Sequence, residues 1–193
     1  MSMIGCLKRA TDEQIAQLLA DPRLIEPFVH GPEYAAPPPR KVGFLARLLG
    51  ADPEEPPEKV ELPPDWSDEQ TDVDKAWHGI HFLLTGTDWE GDEPLCYLVR
   101  GGKEVGDIDV GYGPARALES AQVKQFSDGL AQVSEQDLRA RFDADKMASL
   151  SVYPTIWEEG DEALEYLLEY FGELKSFVHE TAEKRMGLVV WLS

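Results

Sequence analysis

A chain of 193 residues can bury about 70% of its unfolded surface in one domain, so neither disulfides nor a metal is needed to hold it together. Thirty-seven acidic against 18 basic residues give a formal net charge of −19, which repels phosphate backbones and anionic lipid and argues against nucleic acid and membranes as partners. A basic protein partner or a cation stays compatible with such a surface.

The amino terminus, MSMIGCLKRA, lacks the basic start and long apolar region of a secretory signal, and no run reaches about 18 consecutive apolar residues. A cytoplasmic protein is the expectation. Cys6 and Cys96 each sit in an apolar run without ligand spacing, and read as small buried hydrophobes. Met3 to Leu7 predicts a short strand. Thr11 and Gln14 form a capping box that opens a short helix with Ile15, Leu18 and Leu19 on one stripe, ending near Asp21 and Pro22. Leu24, Ile25, Phe28 and Val29 make a second helical stripe that Pro27 interrupts. Residues 37–64 hold eight of the 14 prolines and a dense acidic stretch, so they read as a loop excursion inside a single domain spanning 1–193. Within them RKVGFLARLLG at 40–50 mixes basic and apolar residues, a pattern for a short helix that touches a partner, a membrane or its own domain.

Thr71 to Gly86, TDVDKAWHGIHFLLTG, is where helical periodicity, aromatic mass and reactive polar groups coincide. Read as one helix, it carries Val73, Ala76, Trp77, Ile80, Leu83 and Leu84 on a broad apolar face. Asp74, His78, His81 and Thr85 then follow at i, i+4, i+7 and i+11 in a polar stripe along its flank. Thr71 with Asp74 fits a capping box, and Gly86 is placed to end the helix in the left-handed conformation. A carboxylate and two imidazoles on one face point to proton relay or metal ligation, which makes Asp74, His78 and His81 the candidate catalytic or metal-binding residues. The His pair is three apart, where helical zinc pairs are usually four apart, and no third ligand is visible nearby; no metal or other cofactor is therefore assigned. The alternative is that Asp74 caps and both histidines bond backbone.

Leu95 to Val99 reads as a buried strand, followed by a turn at Arg100 to Gly102. In GDIDVGYGP, alternation puts Asp107 and Asp109 on one face, a pair able to hold a cation or simply to line a solvated edge. The glycines match no phosphate loop or dinucleotide fingerprint. Ala115 to Leu118 predicts a strand, Ser120 caps a helix with Val123, Phe126 and Leu130, and Ser134 with Asp137 forms a capping box for a shorter helix. VYPTIW at 152–157 is an aromatic ordered loop over the core or over a pocket. A long helix from about Asp161 to Lys184 carries Leu164, Leu167, Leu168, Phe171, Leu174, Val178 and Ala182 on one face, with Tyr166, Tyr170 and Phe177 on its flank. Leu188 to Leu192 closes the chain as a strand apolar enough for the middle of a sheet.

MSMIGCLKR at the start, DKAWHGIHFLLTG at 74–86, GPARALES through QDLRARFD, VYPTIW and EALEYLLEYFGELKSFV together resemble the bacterial YfbM-like family, a domain of unknown function. The resemblance spans nearly the whole chain, and Asp74, Lys75, Trp77, His78 and Gly79 are its most specific part. It implies a compact α+β fold with a mixed sheet and supplies no reaction or cofactor.

Two functional readings follow. The first is a protein-binding module, of adaptor or immunity-like type, acting as a monomer or small homo-oligomer on a basic partner. The second is a hydrolase or metal-assisted enzyme that uses the Asp74/His78/His81 stripe, with Trp77, Thr85, Asp107, Asp109 and Trp157 as binding residues.

Overall fold

The closing run GLVVWL contains no polar side chain, so as a strand it must be covered on both faces. A computed structural model describes residues 2–31, 62, 66 and 68–193 and builds the domain around that requirement. In chain order it holds β1 (Gly5–Ala10), α1 (Asp12–Ala20), a 3-10 turn (Pro22–Leu24), α2 (Ile25–His30), β2 (Gln70–Asp72) and a 3-10 turn (Asp74–Ala76). There follow α3 (Trp77–Thr85), β3 (Lys103–Asp109), β4 (Pro114–Leu118), α4 (Ser120–Ala131), α5 (Glu135–Arg141), α6 (Ala144–Ser149), a 3-10 turn (Trp157–Glu159), α7 (Asp161–Glu183) and β5 (Gly187–Leu192). The fold is α+β, with the long carboxy-terminal helix as expected. The sheet runs β2-β1-β5-β4-β3 with β5 at its centre. Every described ladder is antiparallel, where a mixed sheet was expected.

Alternation along the strands sorts their side chains into two cores. Leu188 and Val190, with Leu7 and Leu118, join the core formed under α3 to α7. Val189 and Trp191, with Ala10, Ala115 and Ala117, join Ile15 and Leu18 of α1 and Ile25, Phe28 and Val29 of α2 on the other face. The sheet is the middle layer of three. Pro27 fits inside α2 because it occupies the first turn, where no backbone N–H is needed. The capping boxes at Thr11/Gln14 and Ser134/Asp137 form as expected. The cap of α4 is Glu119, one residue ahead of the expected Ser120.

Two expectations fail. Residues 95–99 are not a strand. Cys96 N–H bonds the Asp92 carbonyl and Arg100 N–H bonds the Cys96 carbonyl, so the segment coils into helical turns that bury Cys96, Tyr97 and Leu98. Residues 71–76 do not extend the central helix. Thr71 is in β2, paired with Leu7, and the helix proper begins only at Trp77. The excursion at 37–64 and its basic run at 40–50 lie outside the described residues, apart from Leu62, which packs against the second core.

Strand β1 carries two cations into the interior. Lys8 donates to the Phe28 carbonyl at 2.9 Å and lies over the Phe28 ring. Arg9, 3% exposed, donates to Thr181 Oγ1 at 2.9 Å, pairs with Glu69 and with Glu180, and lies 4.4 Å from the centre of the Phe177 ring. One guanidinium thereby ties β1, the end of α7 and the residue that leads into β2. Arg9→Met removes all three ties while keeping the apolar stem. We expect it to lower the free energy of unfolding by about 3 kcal/mol in urea titration, and a loss below about 1 kcal/mol would show that the network is only peripheral.

Candidate functional site

Helix α3 is short and heavily apolar, and eight of its nine residues are buried; only Thr85 at its end is half-exposed. Its entry is fixed by aromatic and glycine contacts. Trp77 is fully buried and donates its indole N–H to the Met3 carbonyl at 3.2 Å. At Gly79 the helix presses against α7 and the turn at Trp157, since a Cβ there would stand 2.6 Å from Leu167 and 2.7 Å from Trp157. Gly86 ends the helix with φ of 77°, the left-handed cap expected.

The polar stripe does not become a shared site. Asp74 has left the helix. It sits in the preceding 3-10 turn with φ of 42°, caps nothing on that helix, and accepts the Tyr166 hydroxyl on Oδ2 at 2.9 Å. His78, 2% exposed, spends both ring nitrogens on backbone. Nε2 donates to the Asp88 carbonyl at 2.8 Å and Nδ1 accepts the Tyr153 N–H at 3.0 Å, so the ring is a neutral Nε2–H tautomer that ties two loops together. Trp77 stacks on it at 4.7 Å, and Trp89, 45% exposed, covers it at 4.6 Å. His81 is fully buried, and among the described residues neither of its nitrogens has a hydrogen-bond partner of good geometry. The Glu90 backbone lies near enough to favour its proton slightly, but burial dominates and pushes its pKa down to about 4. Burial also lowers the pKa of His78. Thr85 Oγ1 donates back to the His81 carbonyl at 2.8 Å.

The other sequence candidates are placed apart from the stripe. Asp109 accepts the N–H groups of Gly111 and Gly113, both at 2.9 Å, which organises the turn after β3 and holds its carboxyl below the usual range. Asp107 is exposed on β3. Trp157 is core, 1% exposed, with its indole N–H on the Val152 carbonyl at 2.7 Å. Among the described residues, no group of three or more His, Cys, Asp or Glu side chains is arranged to hold a metal ion. No described helix is long and apolar enough to cross a membrane.

Concave surface forms instead around Tyr166 on α7. On one side Asp74, Lys75, Tyr153, Pro154, Ile156 and Tyr166, with Ser2, line an open groove of about 700 Å³. Tyr166 Oη donates to Asp74 and accepts the Lys75 N–H at 3.1 Å, and together with burial the carboxylate pushes its pKa up. On the other side Tyr166 shares a second open groove, of about 750 Å³, with Leu168 and the carboxylates of Glu135, Asp161, Glu162, Glu165 and Glu169. Arg139 bonds Glu135 and Glu165 at 2.6 Å each. Among the described residues, Asp161, Glu162 and Glu169 have no ion-pair partner, and no side chain donates to them. Lys75 was legible only as part of DKAWHG, and Tyr166 only as part of a flanking aromatic stripe. Tyr153, Pro154 and Ile156 belonged to a loop whose facing was open.

Both histidines bind protons less readily folded than unfolded, so the unfolded chain holds more protons between their folded and ordinary values. Stability should therefore fall as pH drops from about 6.5 towards 4, on the order of 2–3 kcal/mol from His81. His81→Leu should flatten that acid limb in calorimetry and leave stability at pH 7 unchanged or raised by about 1 kcal/mol, because a buried group without hydrogen bonds is replaced by an apolar one. A clear loss at pH 7 would show that the imidazole is partnered after all.

Comparison with known proteins bears on the fold. No curated protein matches the chain. The crystal structure of YfbM from Escherichia coli, described as a protein of unknown function, superposes with a TM-score of 0.66 at 18% identity, covering 98% of this chain and 99% of that one. At that identity the likeness shows the shared fold. A family model, DUF1877, described as a domain of unknown function, matches residues 1–191, and with that span this chain belongs to the DUF1877 family.

Proposed function

We propose that the protein is a binding module for a basic partner protein, and that the partner lies across Tyr166 in the two joined grooves. The observation that supports this reading is the pairing of an acidic groove with an aromatic one about a single tyrosine. Both grooves are wide and open, the form of a surface that receives another chain more than of a cavity that encloses a small molecule. Three carboxylates without ion pairs supply attraction for lysine and arginine, and the net charge of −19 adds long-range steering. Tryptophan and tyrosine are the residues that most often carry interface energy. The hydrolase reading needs an imidazole that faces a cleft, and neither His78 nor His81 lines either groove.

An acidic protein attracts any cation, so the test must separate place from charge. A labelled lysine- and arginine-rich peptide is titrated against the wild type and two triple variants of equal net charge. Asp161→Lys, Glu162→Lys and Glu169→Lys together should weaken binding by roughly tenfold or more at moderate salt. Glu13→Lys, Glu104→Lys and Asp107→Lys, on α1 and β3, should change it by no more than about twofold to threefold. Equal losses in both variants, or no binding to the wild type, would overturn the reading.

A further inference from the structure

We infer that the partner anchors itself with a tyrosine or tryptophan seated in the Asp74–Tyr166 groove, with lysines or arginines close by in its sequence. This rests on the binding reading above and specifies the chemistry of the bound segment. The groove has an apolar wall of Pro154 and Ile156, two tyrosine rings, and at one end a carboxylate beside an ammonium. Its framework is already fixed. Tyr166 Oη donates to Asp74 and accepts the Lys75 N–H, Tyr153 Oη accepts the Met3 N–H at 3.1 Å, and the Tyr153 backbone is held by His78. The charged groups left without a partner among the described residues are Asp74 Oδ1 and the Lys75 ammonium.

Those two groups select the occupant by elimination. An arginine or lysine in the groove could donate to Asp74 but would meet the like charge of Lys75 beside it. An acidic side chain would meet Asp74 and, next to it, the carboxylates of the second groove. A purely aliphatic one would cover Asp74 Oδ1 without giving it a donor, which costs free energy. A phenol or indole satisfies all three demands. Its ring packs against Tyr153, Pro154 and Ile156, its face takes the Lys75 ammonium, and its O–H or N–H donates to Asp74. Apart from Glu135 on α5, the carboxylates of the second groove lie on α7 between Asp161 and Glu169, a stretch of about 12 Å that an extended chain covers in about four residues. The basic residues of the partner should thus fall within about four positions of the anchor.

The test uses the intact protein and fluorescence anisotropy with short labelled peptides that carry one tyrosine among lysines and arginines. In matched peptides the tyrosine is replaced by alanine or by leucine. The tyrosine peptide should bind roughly tenfold more tightly than the alanine peptide, with leucine in between. Ile156→Ser and Lys75→Ala, each checked for unchanged melting, should shrink the ratio between the tyrosine and alanine peptides at least about threefold. Equal binding of the tyrosine and alanine peptides would overturn the anchor and leave the acidic-groove reading standing. An advantage that survives both variants would also overturn it, placing the ring elsewhere on the surface. Failure of every basic peptide to bind would overturn both.

Discussion

Helix α3 is enclosed on all sides, and the rest of the domain is arranged to make that possible. The sheet and α7 leave it little room. Gly79 is the point of closest approach, where hydrogen in place of a side chain lets Leu167 and Trp157 come within contact of the backbone. A helix so enclosed cannot present a polar stripe to solvent. Each polar side chain it carries must find a partner inside or lose hydration without compensation. His78 finds two, and in doing so fastens the 86–90 loop and the 152–154 loop over the helix start. His81 finds none of good geometry among the described residues, and its ring is kept neutral by burial.

Reactivity is consequently displaced from the helix to its entrance. Asp74 and Lys75 lie just before α3, where the chain leaves β2 in a 3-10 turn and Asp74 adopts a left-handed backbone. Their placement depends on α7, since Tyr166 receives the Lys75 N–H and gives its proton to Asp74. The same tyrosine marks the border of the carboxylate groove. The two surfaces are thus one construction, set by where α7 crosses the start of α3. The tight packing at Gly79 and the open surface at Tyr166 meet within one turn of α7, because Leu167 and Tyr166 are adjacent on the same helix.

The elements with a strong local signal were legible in the sequence. The capping boxes at Thr11 and Ser134, the stripe of α7 and the unbroken apolar run of β5 each name one structure, and each forms. Thr71 and Asp74 show where the local signal misleads. The spacing of a capping box is present, but pairing of Thr71 with Leu7 in the sheet outweighs it, a long-range contact invisible to a local pattern. Leu95 to Val99 fails for a related reason. A short apolar run states burial without stating conformation, and here the burial is achieved by helical turns.

The candidate site was legible in its residues and not in its geometry. The stretch from Thr71 to Gly86 drew attention because two histidines and a carboxylate fall on one helical face, yet the helix starts three residues after Asp74 and that carboxylate bonds α7 instead. The pair that emerges, Asp74 with Tyr166, is separated by 92 positions in the chain. No periodicity within either segment could join them. What the sequence does hold is the means of joining. Tyrosine on the flank of an otherwise apolar helix needs a partner for its hydroxyl when half-buried, and a charged turn before a buried helix supplies one. The proposed binding surface therefore arises from two ordinary demands of burial meeting at one hydroxyl, which fixes an acidic and an aromatic groove side by side.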